Sequence, residues 1–295
     1  MRVTFNNLND GLAALNVAAA ALDRAQDQLA TGKRFRAASD DPDAAQRSVG
    51  SRAEISTLDA YTRTAESAES RLTTIDTMLS AIVERITEAR VTTTSARGTT
   101  ATPQVREAAA RQLEGVRDAI LGAVNTTVGG TYLFAGGQTL SRPYVQTGGA
   151  WTYQGDTTTV DVSMGTDRTV TVALDGQALL QGTDANNLLT ELDQLAAAIR
   201  AGDAAGIDAG MAALDRAFTR AVRAQSYVGT DLNGIDENQQ QIAALRLASQ
   251  KRLSKDEDAD MAKAASDLAR ADTAYRAALG AISTAGRVSL MDYLR

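Results

Sequence analysis

The side chains able to do chemistry are few in kind. The 295 residues include no histidine and no cysteine, which excludes imidazole bases, thiolate nucleophiles, disulfides and zinc sites built on either ligand. Carboxylates remain. Asp40 and Asp41 are adjacent, with Asp43 nearby, but glycoside chemistry needs two carboxyl groups facing one another across a bond within a cleft. Asp41 directly precedes Pro42, so the pair reads instead as a helix cap followed by proline at the first helical position. Lys255-Asp256-Glu257-Asp258 with Asp260 lacks the ligand spacing and terminal glutamate of a calcium-binding helix-loop-helix. It reads as a solvated break before the last helix, with an inter-subunit ion-pair site as the second reading. The doublets Gly129-Gly130, Gly136-Gly137 and Gly148-Gly149 are not followed by the lysine and hydroxyl of a phosphate loop and read as turns. Tyr144, Trp151 and Tyr153 could form an outward recognition platform for sugars or bases, although a small β domain also needs such side chains for its own core. No catalytic residue, metal or cofactor is assigned, and the chain reads as a noncatalytic structural protein.

Composition points the same way. The chain is 44% hydrophobic but only 4% aromatic, and its long alanine-rich stretches suit closely packed helices. The formal charge is -6, and all but four of the 30 basic side chains are arginine, the lysines being Lys33, Lys251, Lys255 and Lys263. With no basic tract to follow a phosphate backbone, nucleic acid is not an expected partner. The opening residues lack the apolar run and cleavage pattern of a secretory signal, and no stretch has membrane-spanning character, so membrane insertion is not expected.

The elements that must position these residues follow from periodicity. Leu8, Leu12, Leu15, Ala19, Leu22, Gln26 and Leu29 recur at intervals of four and three, which predicts a helix over about 8–30 with one apolar seam. Tyr61, Ala65, Ala68, Leu72, Ile75, Leu79, Ile82 and Ile86 repeat the pattern in a helix of about 50 residues, roughly 75 Å long. Gly98 to Pro103 ends it, and Val105–Val124 resumes. From Gly129 to Gly182 glycine and threonine dominate, with strands expected at Thr159–Val162 and Thr169–Val172. Helical spacing returns at Leu188–Ile199, breaks at Gly202-Asp203, and resumes at Ile207–Val222 and about 231–252. Met261, Ala264, Leu268, Ala271, Tyr275, Ala278 and Ile282 form a closing seam. The expected fold is mainly α: an elongated outward-and-return helical rod, coiled-coil-like at its ends, with a small β-rich outer insert. Its expected divisions are 1–40 with 254–295 as paired terminal helices, 41–128 with 183–253 as the rod, and 129–182 as the insert.

Several stretches together resemble the flagellin superfamily. These are Thr4 to Leu29, then Leu29-Ala30-Thr31-Gly32-Lys33-Arg34, and Ala38-Ser39-Asp40-Asp41-Pro42. Gly130-Thr131-Tyr132-Leu133-Phe134-Ala135-Gly136, Arg142-Pro143-Tyr144 and Tyr153-Gln154-Gly155-Asp156 resemble the branch of that superfamily that joins the flagellar hook to the filament, as does the ending Ser289 to Arg295. Ser226 to Asn233 resembles the return turn of the family's carboxy-terminal rod.

The resemblance implies a flagellin-like fold and a secreted chain exported through the flagellum's own channel without a cleaved signal. It also implies four partners: the first hook-associated protein, flagellin, further copies of itself, and a cytoplasmic export chaperone that holds the carboxy-terminal helix. The terminal seams Leu8, Leu12, Leu15, Leu22 and Leu29, and Met261, Leu268, Tyr275 and Ile282, are the expected assembly surfaces. The carboxy-terminal seam is expected to lack a partner in the monomer and so to be disordered before assembly. The alternatives are a main filament flagellin and, further off, an adhesive or carbohydrate-binding stalk protein.

Overall fold

Proline and capping side chains set where the long helices begin. A computed structural model describes residues 2–98, 102–165 and 168–291, with side chains from 9 to 284 within those ranges. Helix α1 spans Arg2–Thr31, α2 Pro42–Ala96 and α3 Pro103–Val124. Asp41 caps α2 as its composition suggests, its carboxylate accepting from the Ala44 N–H at 3.0 Å, and Pro42 occupies the first helical position. Thr102 does the same for α3, accepting from Val105 ahead of Pro103.

The insert follows as three two-stranded antiparallel hairpins. β1 (Thr127–Val128) pairs with β2 (Thr131–Tyr132), β3 (Tyr144–Thr147) with β4 (Ala150–Tyr153), and β5 (Asp161–Ser163) with β6 (Thr169–Thr171). The first two close through Gly129-Gly130 and Gly148-Gly149, all at positive φ between 58° and 87°, the geometry of a tight two-residue hairpin turn. A short helix α4 (Gly176–Leu180) lies inside the stretch read from sequence as β-rich; α5 (Leu188–Ala201), α6 (Ala204–Glu257) and α7 (Met261–Met291) complete the chain. Among the described residues no helix is long and apolar enough to cross a membrane.

One expectation is corrected. The stretch Ser226 to Asn233 is not a return turn: α6 passes through it unbroken. Val228 and Ile235, one on each side of Asp231, are buried. Burial of that face outweighs the roughly 1 kcal/mol that each of Gly229 and Gly234 costs a helix interior.

The chain forms two compact units, one from residues up to Leu58 with those from Ala244 on, the other Asp59–Ala243. In the second unit the predicted seam is the core: Ala65, Ala68, Leu72, Ile75, Leu79, Ile82 and Ile86 are all buried. They join Leu113, Val116 and Ile120 of α3, Leu189, Leu192 and Ile199 of α5, and Leu214, Val228 and Ile235 of α6 in one hydrophobic cluster with the insert's Phe134 and Tyr144. Polar pairs at the edges fix register. Along α2 and α6 these are Arg97–Asp208 at 2.8 Å, Arg90–Asp215 at 2.9 Å, Ser80–Gln225 at 2.8 Å and Glu69–Gln239 at 2.8 Å. Between α3 and α5, Arg200 reaches Glu107 at 2.9 Å and Glu114 at 2.7 Å. Ile82→Ala should therefore cost the Asp59–Ala243 unit about 3–4 kcal/mol, read as a lower denaturant midpoint with an unchanged slope; a loss below about 1 kcal/mol would contradict a close-packed seam.

Candidate functional site

The unit that holds both chain ends has a different interior. Its buried residues among those described are small or polar: Ala25, Ala44, Ser48, Ser51, Ser249, Ala264 and Ala271, with Glu257, and Leu58 as the one larger apolar side chain. α1 and α7 pack together. A side chain at Gly11 would start 3.2 Å from Ile282, and Lys33 bridges to Asp258 at the other end, so the two helices run antiparallel.

Of the predicted seam residues, Leu15, Leu22, Leu29, Leu268, Tyr275 and Ile282 are half-buried. Leu12 and Met261 remain 45% and 49% exposed, and the side chain of Leu8 lies outside the described residues. The expectation that the carboxy-terminal seam has no partner within the chain is overturned, because α7 is helical and lies on α1. The pairing is nevertheless incomplete: Val17 and Leu279 are also exposed. Such a pair buries only part of its apolar stripe.

The connectors at the base of this helix pair are clipped to each other. Arg34 donates its backbone N–H to the Glu257 carbonyl at 2.6 Å, and Ala259 donates to the Gly32 carbonyl at 2.8 Å. The acidic run read as a solvated break is instead engaged within the chain. Asp256 pairs with Arg47 at 3.1 Å and Asp258 with Lys33 at 2.8 Å. Glu257, its side chain only 5% exposed, takes Arg52 at 2.8 Å and Lys33 at 3.4 Å. Asp260 accepts from the first-turn amides of Ala262 and Lys263. The Ala38 to Pro42 motif supports the same corner: Asp40 accepts from the amides of Arg36 and Ala37 beside exposed Ser39, and Asp41 also takes Arg34 at 2.7 Å.

In the insert, two motif stretches far apart in sequence close on one another. Phe134 is fully buried, and its carbonyl accepts from the Tyr153 hydroxyl at 3.1 Å, which also reaches the Asp156 carbonyl at 3.1 Å. The Asp156 carboxylate accepts from the Gly137 amide and the Thr158 hydroxyl, each at 2.6 Å, and these bonds hold it below the usual carboxylate range, Thr158 contributing most. A Cβ on Gly136 would fall 2.1 Å from the Asp156 carbonyl oxygen, so the approach requires glycine. Gly155 is wedged beside the Tyr153 ring, and Tyr132 pairs in β2.

The three aromatics of the expected outward platform pack against the core, Tyr144 buried and Trp151 and Tyr153 half-buried. Tyr144 is 1% exposed, donates to the Gly176 carbonyl at 3.1 Å and packs its ring 5.3 Å from that of Tyr153. Trp151 donates to Asp193 at 2.8 Å beneath the Arg117 guanidinium, which also pairs with Asp193. All three aromatics serve the core of the insert. Among the described residues no group of three or more acidic side chains is placed to hold a metal ion.

Residues 5–139 match the family described as the bacterial flagellin N-terminal helical region. Flagellar hook-associated protein 3 of Escherichia coli strain K12 is 26% identical over 233 residues, 71% of this chain and 73% of that protein.

The chain shares its fold with a Vibrio parahaemolyticus chain assigned as a flagellar hook-associated protein. The TM-score is 0.71 at 22% identity, over 74% of this chain and 100% of that one. It also shares it with the flagellar junction protein FlgL of Legionella pneumophila, with a TM-score of 0.61 at 13% identity, over 72% and 100%. The amino-terminal match runs through α1, the clipped connector, α2, α3 and the first hairpin.

The clip was out of reach of sequence reading. Lys33 and the acidic run 256–258 each stand out as charged, but nothing local pairs residues more than 200 positions apart. Arg71 was missed altogether. Its half-buried guanidinium donates to the Val172 carbonyl at 2.7 Å and the Thr131 hydroxyl at 2.8 Å, tying α2 to the insert.

The clip makes two measurable demands. Arg52→Ala leaves the buried Glu257 carboxylate with only its longer contact and should destabilise the end unit by about 2 kcal/mol; Arg47→Ala, from a more exposed pair, should cost less than about 1 kcal/mol. Equal midpoints in thermal circular dichroism would remove Glu257 from the account. The bond from Lys33, reinforced by Ser254, lowers the Asp258 carboxyl from its ordinary 3.8, and the bond to Asp258 raises Lys33 from 10.5. Asp258 then stabilises the fold above 3.8 and loses that contribution as pH falls through its lowered value. Lys33 stabilises below 10.5 and loses its contribution as pH rises through its raised value. The end unit's thermal midpoint should hold across neutral pH and fall at both extremes, whereas Lys33→Met should flatten both arms.

Proposed function

We propose that this chain is a noncatalytic structural adaptor joining the bacterial flagellar hook to the filament, outside the cell on the flagellum. The observation that carries the reading is the interior of the end unit. Two helices of about 30 residues lie on alanine and serine while Leu12, Val17, Met261 and Leu279 stay exposed. Apolar surface of this kind is worth about 25 cal/mol per Å² once covered, so neighbouring subunits complete what the chain begins. The seam residues Leu15, Leu22, Leu29, Leu268, Tyr275 and Ile282 are the proposed assembly surface, with 1–40 and 254–295 as the inner assembly segments. Segments 41–128 and 183–253 then serve as the rod, and 129–182 as the outer insert.

The proposed neighbours are the first hook-associated protein on the hook side, flagellin on the filament side and further copies of the chain within the junction. An export chaperone would cover the closing helix before passage through the flagellum's own secretion channel, and neighbouring subunits would cover the exposed stripe of the helix pair in the lattice. Likeness to a hook-associated protein and to a flagellar junction protein supports the junction over the filament. Burial of Tyr144 and the core role of Trp151 and Tyr153 weigh against a glycan-binding stalk.

The test uses cells lacking their own junction protein and complemented with this chain under immunogold labelling. A single band between hook and filament with motility restored is the expected result; label along the whole filament would make it a flagellin. Leu15→Asp, Leu22→Asp and Leu268→Asp each place a charge in the seam at a cost of several kcal/mol, on the order of 2–7. These variants should leave hooks without filaments, and normal incorporation of all three would refute the seam assignment.

A further inference from the structure

We propose that Glu257 is the pin of a charge-locked joint, one buried carboxylate that fixes the α1–α7 helix pair to the starting turns of α2 and the closing turns of α6. The joint lies wholly within the end unit and exists in the free chain, so the proposal stands whichever lattice the chain enters.

The geometry supplies the reasons. Two connectors, 32–41 and 258–260, link the helix pair to the long helices; Phe35 on the first of them is only half-buried, and the fully buried side chains of the neighbouring helices include Ala25, Ala44, Ser48 and Ala264. Small side chains permit close approach but resist rotation poorly, because they offer little interdigitation. Directional bonds carry the constraint instead.

The backbone bridge through Arg34, Glu257, Gly32 and Ala259 ties the connectors to each other. The Glu257 side chain, at the last residue of α6, then gathers Lys33 from the connector after α1 and Arg52 from the third turn of α2. Three chain segments therefore meet on one carboxylate. Its cations keep 46% and 62% of their side-chain surface, so they return to water at little cost if the carboxylate is neutralised. That asymmetry makes a lock that opens without unfolding the helices: loss of the anion frees both cations, while the intrahelical hydrogen bonds stay. Arg34–Asp41 lies within one connector and Arg47–Asp256 joins only two segments.

The absence of cysteine makes the test direct. Spin labels at Thr57→Cys on α2 and Ser266→Cys on α7, both exposed positions of the end unit, report the angle of the joint as a distance distribution by pulsed electron resonance. The parent should give one narrow distribution. Glu257→Gln should widen it about twofold as additional orientations become populated, with helix content by circular dichroism unchanged, and Arg47→Ala should leave it narrow. Lys33→Ala, which removes one of the two cations and leaves the carboxylate paired with Arg52, should widen it less. It decides the matter if Glu257→Gln loses helix. Distributions in Glu257→Gln and Lys33→Ala that overlay the parent would overturn the proposal, as would equal widening by Arg47→Ala.

Discussion

Side-chain size in two interiors governs the rest of this molecule. The Asp59–Ala243 unit is filled by leucine, isoleucine, phenylalanine and tyrosine from four helices and an insert, enough apolar volume to close on itself. The unit of the chain ends is filled by alanine and serine, whose burial removes little surface from water. A unit built that way can hold two helices near each other but leaves their outer stripes unfinished. Its cohesion rests on polar bonds with defined directions, concentrated where Glu257 meets Lys33 and Arg52.

This division of labour suits the proposed role of a subunit whose ends join a lattice. The well-filled unit needs no neighbour to keep its shape, and its outer aromatics are spent internally: Tyr144 and Tyr153 bond to backbone carbonyls, and Trp151 to Asp193. The sparse unit holds back Leu12, Val17, Met261 and Leu279. The sequence match to the flagellin N-terminal helical region covers residues 5–139, and the exposed side chains of the sparse unit are the surface that the proposed assembly would cover.

Much of this was legible in the sequence wherever the signal was local. The seam from Ala65 to Ile86 repeats at helical spacing and is buried residue for residue; Asp41-Pro42 and Thr102-Pro103 announce helix starts; the glycine doublets at 129 and 148 close hairpins. What failed was non-local or locally ambiguous. The likeness of Ser226 to Asn233 to a return turn suggested a break that the buried face of α6 overrides. Helix α4 was hidden in a glycine- and threonine-rich stretch where its single turn is held by the Asp175 cap and by Arg220 donating to the Leu179 and Leu180 carbonyls. The three aromatics could have faced either way, and only the fold shows them turned inward. The acidic run before α7 reads as solvated until its partners arrive from the other end of the chain.

The pairs along α2 and α6 in the larger unit have a mechanical meaning. Arg97–Asp208, Arg90–Asp215, Ser80–Gln225 and Glu69–Gln239 recur along the length of the two helices, above a continuous seam of buried leucine and isoleucine. A force that slides one helix along the other loads all of these contacts together rather than one after another, so yielding requires crossing a single large barrier. A force that peels the helices apart meets them in sequence. The unit is thus anisotropic, stiffer to shear along its helices than to opening at their ends.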